Sequence, residues 1–280
     1  MSHPSEGRRS AITTSWLGWG TFRVDVAGGP KVVIDPCVTP LLSDPHAAFA
    51  DVADADLFLI THGHHEHLKD VPSLARRLPH VPIVAPAQVR EYLVGICGID
   101  RERITLAEPD RALTWGEARI VPRAFPHLPK HDVAGKLAIL RRDNPLGAPW
   151  IALRYGPRIL RSWLAIRQQP EFGPFLAYDL RIGGQRLLFT CEAFTALLAA
   201  EVVGDWAEGP AIDLAVVGVE SGQEEAAGAL TRALEARQAV GCAVHAPFER
   251  FYGKPPVDGD AWVEAAGGTA WIPGSAISTS

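Results

Sequence analysis

The chain has no C-x-x-C pair. Its four cysteines, Cys37, Cys97, Cys191 and Cys242, are scattered, so neither a zinc ribbon nor a redox dithiol is expected, and a reducing compartment fits best. The opening stretch MSHPSEGRRSAITTSW holds no apolar core of the kind a signal peptide needs, and no later apolar run approaches a membrane span. Excess charge is missing too: a formal net charge of -5 gives no general attraction to nucleic acid or to an anionic membrane. No internal repeat is present. A cytoplasmic protein is expected, with a small-molecule substrate, no transmembrane segment and no nucleic-acid partner.

What the chain does have is enough apolar surface for a core: 47% of its 280 residues are hydrophobic and 21% charged. A single domain over 1–280 is expected. Residues 16–19, 22–26 and 31–34 are short β-prone runs separated by turn signals, and they read as an antiparallel hairpin pair. Residues 57–60, Leu-Phe-Leu-Ile, suit a strand buried on both faces, and that strand runs straight into Thr61 and His62. Leu68, Val71, Leu74, Ala75 and Leu78 fall at helical spacing, with Pro72 tolerable only in the first turn. Further strands are expected at 81–85, 104–106, 118–122, 185–190 and 213–219, helices at 88–94 and 224–237, and a strand end at 243–245.

Residues 128–178 break this rhythm with prolines, glycines and aromatics, among them Trp150, Tyr155, Trp163, Phe172, Phe175 and Tyr178, and read as an insertion or lid. Within it Arg154, Arg158 and Arg161 recur beside Ile159, Leu160, Trp163, Leu164 and Ile166, although Gly156-Pro157 interrupts a helix there. Two readings stand: a solvated arginine face over a packed apolar one, or a cationic, aromatic lid over an anionic or amphiphilic substrate.

The densest chemistry lies at 61–67, Thr-His-Gly-His-His-Glu-His. Imidazole and carboxylate are the ligands that zinc, iron and manganese accept, so a tight loop of them is a natural metal cradle. Exposed histidine runs also arise incidentally, but this one follows a buried strand and precedes a helix. The segment resembles the H-x-H-x-D-H motif of the metallo-β-lactamase superfamily, with His62, His64, Glu66 and His67 in its four positions and glutamate where aspartate is usual. The resemblance extends to Trp16-Leu17-Gly18, to Val33-Ile34-Asp35-Pro36 and to three later elements. It is strongest with the branch containing ascorbate-6-phosphate lactonase and N-acyl-phosphatidylethanolamine phospholipase D.

That resemblance implies an α/β fold, a four-layer αββα sandwich, and two divalent metal ions: zinc first, with manganese or iron as alternatives. It implies His62, His64 and His127 around one metal, Glu66, His67 and His245 around the other, and Glu192 bridging, with Glu66 and Glu192 serving catalysis. His131 competes with His127, and a plain surface histidine is the alternative to either. Glu192, after Gly184 to Cys191, matches the family pattern loosely with glutamate again replacing aspartate; an ordinary exposed glutamate is its alternative, and a packing histidine is that for His245. Asp35 is expected either to orient a ligand imidazole by accepting its hydrogen bond or to be a turn residue before Pro36. His65 is expected to face out or to support a neighbour, and His3, His46 and His80 to be surface residues. Cys191 reads as a small buried side chain, although a thiolate can bind a soft metal.

The implied activity is hydrolysis by a metal-bound hydroxide, acting on an anionic ester such as a phosphodiester or lactone. The arginines of the insertion tilt the substrate toward phosphate. A di-iron oxygenase or oxidase is the rival, because histidines with several carboxylates also suit redox-active iron. A non-catalytic protein with a degenerate metal site is the third reading. The substrate-binding residues and the oligomeric state are not legible; exposed aromatics of the insertion suit a second subunit as well as a ligand.

Overall fold

Along the buried strands alternate residues face different cores, and this parity builds the layers. The computed structural model describes residues 9–39, 47–125, 149, 153, 174–190, 200–246, 254–267, 270–271 and 276–279. One sheet is made by β1 (Ile12–Trp16), β2 (Phe22–Val26), β3 (Lys31–Ile34), β4 (Leu57–Leu59), β5 (Ile83–Ala85) and β6 (Ile104–Leu106) in that order, with β14 (Ala276–Thr279) outside β1. The other takes β7 (Leu113–Trp115), β8 (Ala118–Phe125), β9 (Phe175–Ile182), β10 (Gln185–Phe189), β11 (Leu214–Gly218), β12 (Gln238–Cys242) and β13 (Ala270–Trp271), again in order.

Val32, Ile34, Leu57 and Leu59 of the first sheet meet Tyr178, Leu187, Phe189, Leu214 and Val216 of the second in a central core. The intervening residues Val33, Phe58 and Ile60 point the other way. They pack on Leu68 of α1 (His65–Leu68), Val71 and Leu74 of α2 (Val71–Arg77) and Val89 and Leu93 of α3 (Ala87–Gly95). The second sheet repeats the pattern: Ala177, Leu188, Ala215 and Val217 face α4 (Ala200–Ala207), α5 (Glu224–Ala233) and α6 (Gly259–Ala266), whose Trp206, Leu230 and Trp262 close a third core. The result is the expected αββα sandwich. Among the described residues no helix is long and apolar enough to cross a membrane.

Several expected boundaries move. The first strand is Ile12–Trp16, not 16–19; Leu17 to Thr21 form a tight turn closed by Leu17 N–H to Thr21 O and Thr21 N–H to Gly18 O. The helix expected over 68–78 is split into α1 and α2, with Pro72 in the first turn of the latter, where its missing N–H is harmless. The helix expected to reach residue 237 stops at Ala233, because Glu235 turns left-handed (φ +48°) and Arg237 N–H bonds Ile212 O to start the return into β12. Phe175 and Tyr178 belong to β9 and not to a lid, and Tyr178 is fully buried between the sheets. Apart from residues 149, 153 and 174–178, the stretch expected to be a lid lies outside the described residues.

One polar group is carried deep into the second sheet. Arg186, 2% exposed, pairs with Asp179, 0% exposed, at 2.8 Å. Its remaining N–H groups donate to the carbonyls of Trp206, Glu208 and Pro210, which ties the end of α4 to the sheet. Removing one partner of such a pair strands the other's charge. Arg186→Met is therefore expected to lower unfolding free energy by about 3 kcal/mol or more, read as the midpoint of urea unfolding. A change below about 1 kcal/mol is the value for an exposed pair and would contradict this burial.

Candidate metal centre

β3 and β4 are parallel neighbours, and their C-terminal ends set Asp35 beside Thr61 and His62. Asp35 is fully buried and adopts φ +47°, a left-handed conformation that aspartate tolerates better than most residues. Its Oδ1 accepts the Thr61 backbone N–H at 2.8 Å; its Oδ2 accepts the Thr61 hydroxyl at 2.6 Å and His67 Nδ1–H at 2.7 Å. Having given its hydrogen to the carboxylate, Thr61 Oγ1 accepts from His62 Nδ1 at 2.8 Å. The network places hydrogen on Nδ1 of both His62 and His67, which leaves Nε2 as the nitrogen that could face a metal.

The three histidines of the motif gather around this carboxylate. His64 precedes α1 as its N-cap; His65, Glu66 and His67 form the helix's first turn and are not loop residues, as the sequence suggested. The helical turn brings the His67 ring to 4.3 Å from His62, while the His64 ring lies 4.4 Å from His62 on the edge-to-face side. The Nε2 atoms of His62 and His64 are shut off from solvent. Glu66 places a carboxylate oxygen 3.9 Å from His64 Nδ1. His65 is half-buried on the same turn, so it does not simply face out, and His80 is exposed.

Gly20 is what lets His67 sit there. It lies in the turn between β1 and β2, and a Cβ on it would come within 2.3 Å of His67 Cε1 and 2.7 Å of Nδ1. Nothing local marks this approach beyond the Gly18-Trp19-Gly20 run. The second sheet supplies the opposite wall: Phe175 packs 5.0 Å from His62 and 5.6 Å from His64, backed by Phe125 at 6.1 Å. Two hydrogen bonds pin this wall to the histidine strand, Tyr178 Oη–H to Ile60 O at 2.7 Å and Leu176 N–H to Thr61 O at 3.2 Å.

This contact fixes which ends of the second sheet share the site. β9 begins here at Phe175, and because β8 and β10 run antiparallel to it, both end here, at Phe125 and Phe189. β11 and β12 are parallel to β10 and finish on the same side. His245 follows β12, and its Nδ1 bonds Glu220, which follows β11, at 2.7 Å. Glu220 was not singled out in the sequence; its signal is its place just after a buried strand. His127, Glu192, His131, Cys191 and the arginines 154, 158 and 161 lie outside the described residues.

The described donors suit a transition metal by their chemistry: buried imidazoles, two of them oriented through Nδ1 so that Nε2 is the nitrogen left for a ligand bond, and a nearby carboxylate. Among the described residues no three such side chains already converge as a metal-binding group. The described cysteines next to this region are poor alternatives. Burial pushes the Cys37 and Cys242 thiols up to about 12, so neither is a thiolate near neutral pH. Replacing Gly20 by alanine should force His67 off Asp35 and lower metal affinity at least about 10-fold, by titration against a competing chelator. Asp35→Asn, which keeps a residue tolerant of the left-handed backbone, should cost about 10- to 100-fold in the same titration. Affinity unchanged in both variants would remove His67 from the centre.

Comparison with known proteins bears on this geometry. Residues 30–151 match a family described as a β-lactamase superfamily domain. A metal-dependent hydrolase of Polaromonas is 34% identical over 100 residues, 35% of this chain and 35% of its own; one of Roseiflexus is 40% identical over 100 residues, 35% and 39% of the respective chains. The chain thus spans little more than a third of the length of these curated relatives. In structure it is similar to a metallo hydrolase of the archaeon Ignicoccus hospitalis, with a TM-score of 0.64 and 16% identity over 97% of this chain and 99% of that one. It is also similar to a diiron β-hydroxylase of Streptomyces venezuelae, with a TM-score of 0.59 and 16% identity over 100% of this chain and 55% of that one. Residues 30–151 thus resemble a β-lactamase superfamily domain, and the layered fold with its histidine motif at the end of β4 is similar to that of the metallo hydrolase structure.

Proposed function

We propose that the chain is a metal-dependent hydrolase whose metal would be held by His62, His64 and His127 as one set and Glu66, His67 and His245 as the other, with Glu192 as the carboxylate that would bridge the two sets. The observation that carries this reading is the Asp35 network, which spends a fully buried carboxylate on fixing the tautomers of two imidazoles. Such an arrangement prepares nitrogen lone pairs for a Lewis acid. Further support comes from the strand ends: Phe125 and Phe189 finish on the histidine edge shortly before His127 and Glu192. The relatives named metal-dependent hydrolases support the class of activity.

A divalent metal held there, zinc in the first instance, would supply a Lewis acid able to acidify water and offset negative charge on a substrate oxygen. The chain's own groups do the rest. Asp35 and Glu220 hold hydrogen on Nδ1 of His67 and on the carboxylate-facing nitrogen of His245, which orients both rings. Phe175 and Phe125 exclude water from one side of His62 and His64. Glu66 and Glu192 are the carboxylates available to take up a proton from attacking water. The substrate class is an anionic ester, phosphodiester or lactone, chosen for the arginines at 154, 158 and 161.

A second reading, a di-iron oxygenase, is favoured by the likeness to the Streptomyces diiron β-hydroxylase over the whole chain and by glutamate at 66 and 192. The assay that separates them is turnover of bis(p-nitrophenyl) phosphate and a simple lactone with and without oxygen: oxygen-independent cleavage is expected, and consumption of oxygen without cleavage would overturn hydrolysis. His64→Ala should abolish cleavage and lower bound metal, whereas His65→Ala should keep most of both; equal losses would show that the ligand register is wrong. Glu220→Gln should weaken one metal equivalent about 10-fold or more while leaving the other in place. Identical affinity for both equivalents would detach His245 from the site.

A further inference from the structure

A second concentration of charge lies on the outer face of the second sheet, at the far end of its strands from the histidines. Arg119 of β8 is directly opposite Arg181 of β9, and Arg181 is directly opposite Arg186 of β10. Arg123 follows on the same face of β8. Like charges set opposite each other weaken a sheet, so a row across three strands needs a reason. Two of the four guanidinium groups are compensated within the fold. Arg186 has Asp179 and three carbonyls, and Arg123 has Asp110 at 3.0 Å and Asp179 at 3.6 Å.

Arg181 and Arg119 differ. Among the described residues neither has an ion pair, and Arg181 Nε–H is shut off from solvent without an acceptor. Burial, opposed by Asp179 and reinforced by Arg119, Arg186 and Arg123, pulls the Arg181 guanidinium below its ordinary value. The loop after α4 passes over this row at Gly209, whose φ is +100°. A Cβ there would stand 3.4 Å from Arg181 Nη2 and 4.0 Å from Arg186 Nη1, so this loop lies beside the row and already covers Arg186, while Arg181 stays half-buried. This face thus offers half-buried Arg181 and exposed Arg119, neither in an ion pair among the described residues, with Asp179 the one carboxylate acting on Arg181 and already engaged by Arg186 and Arg123.

We propose that this arginine face binds a phosphate-type dianion, either free orthophosphate or the phosphate group of a small ester, at a site separate from the histidine centre. Guanidinium groups match phosphate oxygens in geometry and in charge, and a dianion complements a row of four arginines whose neighbouring carboxylates Asp179 and Asp110 are already paired with Arg186 and Arg123. Arg181 is six residues along β9 from Phe175, so the two sites are about 20 Å apart at about 3.3 Å per residue. The proposal does not depend on the hydrolase reading.

The test is calorimetric and thermal titration of the full chain with orthophosphate and with glycerol phosphate, against chloride at equal ionic strength. Saturable binding and stabilisation by phosphate, not reproduced by chloride, are expected. Tighter binding of the ester would identify an ester ligand, and equal or weaker binding the free ion. Arg181→Gln should weaken phosphate binding at least tenfold and, by relieving repulsion, melt no lower than the parent in chloride. Arg119→Gln, at an exposed position, should weaken it severalfold and serves if the first variant fails to fold. His64→Ala should retain the response. No phosphate-specific binding by the parent, full binding by the folded Arg181 or Arg119 variant, or loss of binding in His64→Ala would overturn the proposal.

Discussion

Asp35 is the group on which the rest of the site depends. A carboxylate taken wholly out of water must have its oxygens satisfied, and here they are satisfied by a backbone N–H, a hydroxyl and an imidazole. That requirement joins the end of β3 to the end of β4 and draws α1 back over both. Two histidines acquire a defined tautomer as a by-product of keeping one buried acid hydrogen-bonded. Gly20 completes the arrangement from the turn between β1 and β2, because only a residue without a Cβ leaves space for the His67 ring.

The second sheet is built independently on its own parity of buried residues, yet it meets the first at the histidines. Tyr178 and Leu176 reach across to the carbonyls of Ile60 and Thr61, and Phe175 covers the rings. These contacts explain why strand ends far apart in sequence serve one edge. The C-terminal ends of β8, β10, β11 and β12 reach that edge by strand direction alone. The same directions put the arginine row of β8, β9 and β10 at the opposite end.

Much of this was legible in the sequence because the buried strands are nearly uninterrupted apolar runs. Leu57 to Ile60 and Leu214 to Val219 announce themselves, and the histidine cluster follows the first of them. What was not legible depends on contacts between distant segments. Nothing local marks Gly20 as the residue facing His67, or Glu220 as the partner of His245. Tyr178 and Phe175 were misassigned to a lid because aromatic content beside prolines resembles an irregular segment, whereas their alternation with Leu176 and Ala177 is that of a strand. β1 was displaced because Thr13, Thr14 and Ser15 are weakly apolar, and the tryptophans after them drew the strand toward the turn. His127 and Glu192 rest on the sequence resemblance together with where β8 and β10 end.

The central claim is that these buried imidazoles exist to hold metal. Elemental analysis of the full chain, purified without chelator, tests it directly. The account expects about two equivalents of divalent transition metal per chain, zinc foremost. A chain that is folded, contains no metal and takes none up on addition would contradict it.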